Sequence, residues 1–201
     1  MDLDWMPTVG WWLLAAAVGY LLGAINPAAL VARPLGVNLQ SVGSGNPGAT
    51  NVGRALGARW AVLVGFLDVL KGFLPAFAFG MLVGQTTGQI AGLAAVVGHI
   101  TSPYLKGRGG KGVATTLGAI LGVQPLLAVP VLIAFGIGVA ISRRVGLGAV
   151  AGAVVLIISG IVGWVSGWTD AADMWFAILL GSLVLGRHVG NIRRAFGGSA
   201  G

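Results

Sequence analysis

The chain has 201 residues, of which 56% are hydrophobic and only 8% charged, with 36 glycines, no cysteine and a mean hydropathy of +0.92. A soluble domain is about a quarter charged, so this composition excludes an ordinary water-borne enzyme and calls for apolar surroundings, of which a lipid bilayer is the simplest. The net charge of +7 does not point to nucleic acid, because the bases sit in short islands between apolar runs; with two histidines, five carboxylates and no thiol, neither metal nor cofactor is expected.

A hydrocarbon core about 30 Å thick takes about 20 apolar helical residues. Seven segments answer that description in chain order: Val9 to Ala32, Trp60 to Val83, Gln89 to Pro103, Val113 to Val123, Pro125 to Ile141, Val145 to Val165 and Met174 to Gly186. Those beginning at Gln89, Val113 and Met174 are short, as helices beside a polar cavity can be. The reading is all-α: one polytopic membrane domain over residues 1–201 with about seven transmembrane helices.

Charge placement supports that count, because basic residues are retained on the cytoplasmic side. Seven crossings gather Arg33, Arg54, Arg59, Lys106, Arg108, Lys111, Arg143, Arg144, Arg187, Arg193 and Arg194, eleven of the twelve bases, on one face. Asp2, Asp4, Asp170 and Asp173 fall on the other. The expected orientation therefore has the amino terminus outside, the carboxyl terminus in the cytoplasm and the basic loops at the inner face of the cell membrane.

The first basic loop, Ser41 to Arg54, combines glycines that permit left-handed turns, short donors from Ser44, Asn46, Thr50 and Asn51, and a guanidinium that can grip a phosphate with two hydrogen bonds. It reads as an anion nest or, more plainly, as a turn followed by a helix capped by Thr50 or Asn51. Asp68 and Lys71 lie three apart in the second apolar segment, hence on one helix face, where a structural ion pair is favoured over direct catalysis. His99 stands at the end of the third segment, where a hydrogen-bonded packing role outweighs that of a base.

The second basic loop, Lys106 to Thr115, runs straight into an apolar helix, whose unpaired N–H groups and positive dipole end favour an anion. It is not a Walker loop, since Leu105 occupies the required glycine position and Gly112 follows Lys111. The island Arg187 to Arg194 places His188 and Asn191 on one helical face just past the last span. Three separate loops combining base, glycine and short polar groups suit two phosphorylated reactants, or one bearing two phosphates.

In these motifs the chain resembles the bacterial acyl-phosphate:glycerol-3-phosphate acyltransferase family of the PlsY type. The resemblance spans nearly the whole sequence: Gly43 to Asn51 with Arg54, Asp68 to Gly72, Gly98-His99, Gly109 to Thr115, and Arg187-His188 with Asn191-Ile192. It implies seven helices and transfer of a fatty acyl group from acyl phosphate to the 1-hydroxyl of glycerol 3-phosphate, giving lysophosphatidic acid for phospholipid synthesis. It also implies a functional link to the enzyme that supplies acyl phosphate. Ser44, Asn46, Thr50, Asn51 and Arg54 fall in the family's first motif, Lys111 with its glycines in the second, and His188 and Asn191 in the third. Ser44, Arg54, Lys111, His188 and Asn191 are then the expected catalytic set. Gly45, Asn46, Gly48, Thr50, Asn51, Gly109, Gly110, Gly112, Thr115 and Arg143 are the expected phosphate ligands.

An acyl phosphate is an activated mixed anhydride with its own leaving group, so the protein has mainly to hold, orient and offset phosphate repulsion. Neither histidine has an acid five positions later, so substrate phosphate itself is expected to accept the hydroxyl proton, with His188 or Ser44 orienting it. A transporter or flippase for an anionic solute, or a diverged noncatalytic lipid-binding relative, is the alternative reading.

Overall fold

The computed structural model describes residues 8–196, and among them all regular structure is helical. Asp2, Asp4 and the glycine-rich last five residues lie outside the described residues. The α-helices are α1 (Thr8–Ala24), α2 (Pro27–Ala32), α3 (Ala49–Leu56), α4 (Ala58–Leu82), α5 (Gln85–Thr101), α6 (Val113–Val123), α7 (Pro125–Ser142), α8 (Val145–Val165) and α9 (Ala171–Phe196). Two boundary pairs, those of α6 and α8, coincide with the sequence expectation. Among the described residues five stretches are long and apolar enough to cross a membrane: Thr8–Ala32, Ala58–Leu82, Pro125–Ser142, Val145–Val165 and Ala171–Arg193.

The departures have local causes. The first expected segment is two helices, because Pro27 has no N–H to continue α1; Asn26 caps α2 instead, its Oδ1 accepting from the Ala29 N–H at 2.8 Å. What reads as a loop contains α3, whose N-cap is Gly48 without a side-chain bond, not Thr50 or Asn51, which lie inside its first turn. Helix α5 starts at Gln85 rather than Gln89, since Thr87 and Gln89 are buried among helices despite their polarity. Helix α9 continues through the basic island that was expected to follow Gly186, as one helical glycine costs only about 1 kcal/mol and packing overrides it.

The chain forms two compact units, one from α1 to α6 and the other from α7 to α9. Close approach of backbones organises the first. Gly19 and Gly23 face the carbonyls of Ala91 and Ala95, and Gly98 faces that of Tyr20, so α1 and α5 touch without side chains between them. Gly72 meets the Thr115 carbonyl and Gly118 that of Val69, which joins α4 to α6 in the same way. Small residues serve such seams because dispersion between close backbones replaces the hydrophobic drive that lipid cannot supply. Ala28, Ala32, Leu39, Val52 and Val64 form a core beneath α2 and α3.

In the second unit, Gly138 lies against Gly148 and Gly181 against the Ala153 carbonyl, so α8 packs tightly on both α7 and α9. Helix α7 leaves Leu126, Val129, Leu132, Ile133, Ile137 and Ile141 exposed, an apolar face suited to lipid.

Gly23→Val places branched carbons on the backbone at Ala95, and thermal unfolding in detergent should show a loss of about 3 kcal/mol. Gly136, in α7 with nothing within 4 Å of an added Cβ, should accept alanine and gain about 1 kcal/mol.

Candidate active site

The first basic loop is built around one buried amide. Asn51, 1% exposed, donates through Nδ2 to the carbonyls of Leu39 at 3.0 Å and Val42 at 2.9 Å, and its Oδ1 accepts from the Ser44 N–H at 3.1 Å. Gly43 and Gly45 both have positive φ, 54° and 68°, which turns the chain sharply on either side of Ser44. A Cβ at Gly43 would stand 2.6 Å from Asn51 Oδ1 and 3.4 Å from Arg54 Cδ, so the arginine stem lies over this turn. The side chains of Ser44, Thr50 and Arg54 are exposed.

Asn51 thus spends its amide on the loop's own backbone and positions Ser44. The amide of Gly45 donates to the Val42 carbonyl at 2.9 Å and that of Gly48 to the Asn46 carbonyl at 3.0 Å, so both are engaged within turns. Asn46 N–H points to Ser44 Oγ at 3.5 Å.

The second basic loop is threaded across the carboxyl end of α5. Gly109 N–H donates to the Ile100 carbonyl and Gly110 N–H to the His99 carbonyl, each at 3.1 Å, capping carbonyls that a helix end leaves unpaired. A Cβ at Gly109 would fall on the His99 carbonyl and one at Gly110 on His99 Nε2, so neither position has room for a side chain. These glycines therefore seat the loop on the end of α5. Lys106, Gly107 and Gly112 take left-handed conformations, and the Gly112 carbonyl accepts the Thr116 N–H at 2.7 Å to start α6. Lys111 is half-buried just before that helix. Thr115 is fully buried at the seam with Gly72, which removes it from the expected phosphate contacts.

Both loops meet a common floor. Asp68 Oδ1 lies 2.9 Å from Lys71 Nζ and 3.4 Å from His99 Nδ1, and Lys71 Nζ donates to the Ile25 carbonyl at 2.7 Å. Ser102 Oγ donates to the Ala24 carbonyl at 2.6 Å, so the broken end of α1 is capped from α4 and from the end of α5. Asn26 Nδ2 reaches the Pro47 carbonyl at 3.2 Å and ties the first loop to this break. Along α4, Gly65 faces Ala49 at the start of α3, while Gly72 faces Thr115 in the first turn of α6. Seven residues is nearly two turns, so the starts of α3 and α6 share one face of α4, about 10 Å apart along its axis. Asp68 lies between them on that face.

In the second unit, His188 is 2% exposed and its Nδ1 is 2.8 Å from the Val184 carbonyl. A carbonyl only accepts, so Nδ1 carries a proton. Asn191 Nδ2 is packed onto Gly146 in the first turn of α8, where a Cβ would displace it. Arg143 closes α7 in a left-handed conformation, φ 57°, with its N–H on the Val139 carbonyl, and its side chain is exposed.

Residues 13–198 match the family described as Glycerol-3-phosphate acyltransferase. The chain belongs to that family. Glycerol-3-phosphate acyltransferases from Thermoanaerobacter sp. (39% identity, 93% of each chain) and Thermus thermophilus (41%, 94% of this chain and 92% of the relative) are among its relatives. The crystal structure of PlsY (YgiH), an integral membrane glycerol 3-phosphate acyltransferase in its glycerol 3-phosphate form, superposes with a TM-score of 0.85. It has 37% identity over 93% of this chain and 92% of that one. Its lysophosphatidic acid form gives 0.82. This member of the glycerol-3-phosphate acyltransferase family is thus a multi-pass membrane protein and an acyltransferase.

Three residues of the floor escaped the sequence reading: Asn26, Ser102 and His99 in its pairing with Asp68. Asn26 before Pro27 is a legible helix-start signal; nothing in local pattern brings His99 to Asp68. Asn51→Asp removes two donors and faces two carbonyls with a carboxylate. Hydrogen exchange should show the Ser44 amide losing protection, with stability falling by about 3 kcal/mol.

Proposed function

We propose that the chain transfers a fatty acyl group from acyl phosphate to the sn-1 hydroxyl of glycerol 3-phosphate, releasing lysophosphatidic acid and inorganic phosphate. The observation that carries this reading is the convergence of the Arg54 loop and the Lys111 loop on one face of α4, above a shared polar floor. Two cationic side chains, Arg54 in the last turn of α3 and Lys111 just before α6, suit two phosphate groups that must lie side by side.

In this reading Arg54 and Lys111 clamp the phosphates, and Ser44 and Thr50 orient them by hydroxyl donation; Arg143, His188 and Asn191 are assigned to the chemistry on the strength of their motifs alone. The hydroxyl of glycerol 3-phosphate attacks the acyl carbonyl, its proton passes to a phosphate oxygen, and the acyl phosphate loses phosphate. Proximity and preorganised charge supply the acceleration. The whole chain then works as one domain that crosses the inner membrane seven times, with α1 and α2 counted as one crossing. Its amino terminus is outside and its basic loops are in the cytoplasm, where an enzyme making acyl phosphate can feed it.

With palmitoyl phosphate and glycerol 3-phosphate supplied to detergent-purified protein, phosphate and lysophosphatidic acid should appear in equal amounts. Phosphate alone would indicate hydrolysis, and neither product would overturn the reading in favour of transport or lipid binding. Arg54→Ala and Lys111→Ala should each lower kcat/KM by about a hundredfold or more while the protein remains membrane-inserted. His188→Ala should alter the pH profile of turnover; an unchanged profile at full turnover removes that histidine from the chemistry.

A further inference from the structure

In the first unit, the buried ionisable groups that acyl transfer leaves unused among the described residues are Asp68, Lys71 and His99, which are 3%, 8% and 3% exposed. They lie beneath the two loops proposed to hold substrate and connect them. From Gly110 the path runs through its 3.1 Å bond to the His99 carbonyl, from the His99 ring to Asp68 at 3.4 Å, and from Asp68 to Lys71 at 2.9 Å. It continues from Lys71 to the Ile25 carbonyl at 2.7 Å, across one peptide bond to Asn26, and to the Pro47 carbonyl at 3.2 Å. Gly110 precedes Lys111, and Pro47 stands three residues beyond Ser44 in the loop that leads to Arg54.

We propose that Asp68, Lys71 and His99 are positioning residues that set the separation of the two substrate loops. The imidazole serves as the strut: its Nε2 edge abuts Gly110, which has no Cβ to hold it off, while its Nδ1 edge is held by the Asp68 carboxylate. Lys71 neutralises that carboxylate and in the same stroke clamps the broken end of α1. The ion pair thus links the position of one loop to the other through buried side chains that are each held at both ends. A misplacement of about 1 Å between reacting groups can cost about a hundredfold in rate, so such a strut has a catalytic consequence without touching substrate.

The inference rests on the acyl-transfer reading for its kinetic consequence only. Because the chain has no cysteine, nitroxide labels can be placed at Gln40→Cys and Arg108→Cys, both exposed and outside the network, and their separation read by double electron–electron resonance. The parent and an Ile120→Val control, which loosens the core within α6 of the same unit, should share one narrow distance. Asp68→Asn and His99→Phe, the latter keeping the ring volume, should broaden and shift it, and turnover of the unlabelled variants should fall about a hundredfold. Unchanged distances in both variants, or equal broadening in Ile120→Val, would overturn the proposal. Should Asp68→Asn fail to fold, His99→Phe decides alone. An inactive parent would sink the acyl-transfer reading and leave the distance measurement able to judge the strut.

Discussion

An ammonium group enclosed among apolar helices must satisfy its charge and its N–H donors at once, or the helix that carries it is strongly destabilised. Lys71 does both by bonding to the Asp68 carboxylate one turn earlier on α4 and to the Ile25 carbonyl at the broken end of α1. The rest of the first unit is arranged around that solution. The break at Pro27 exposes carbonyls that need donors, and Lys71 and Ser102 supply them from α4 and from the end of α5. A bilayer interior offers no water to do so.

The same constraint explains the use of glycine. At Gly72, Gly118, Gly23 and Gly98 the helices approach until backbone meets backbone, and at Gly109 and Gly110 a loop lies directly on the end of α5. Removing Cβ atoms lets the Gly109 and Gly110 amides cap backbone carbonyls, while the side chains of Arg54, Ser44 and Thr50 are exposed and that of Lys111 is half-buried.

For the proposed reaction, this division of labour is what acyl phosphate chemistry calls for. The donor is already activated, so the enzyme's contribution is held geometry and fixed positive charge. A polar floor fixed by an ion pair, an imidazole and capped helix ends supplies rigidity without placing a competing anion where the phosphates would sit.

Membrane residence, the all-helical class, the boundaries of α6 and α8, the pairing of Asp68 with Lys71 and the identity of the basic loops were all legible in the sequence. Each follows from hydrophobic run length, helical spacing or local composition, which are properties of neighbouring residues. The meeting of His99 with Asp68, the inward turning of the Asn51, Gly109 and Gly110 amides, and the continuation of α9 through Gly186 were not. Those depend on which backbone groups lie within about 3 Å after the helices pack, a relation between residues tens of positions apart that no local pattern encodes.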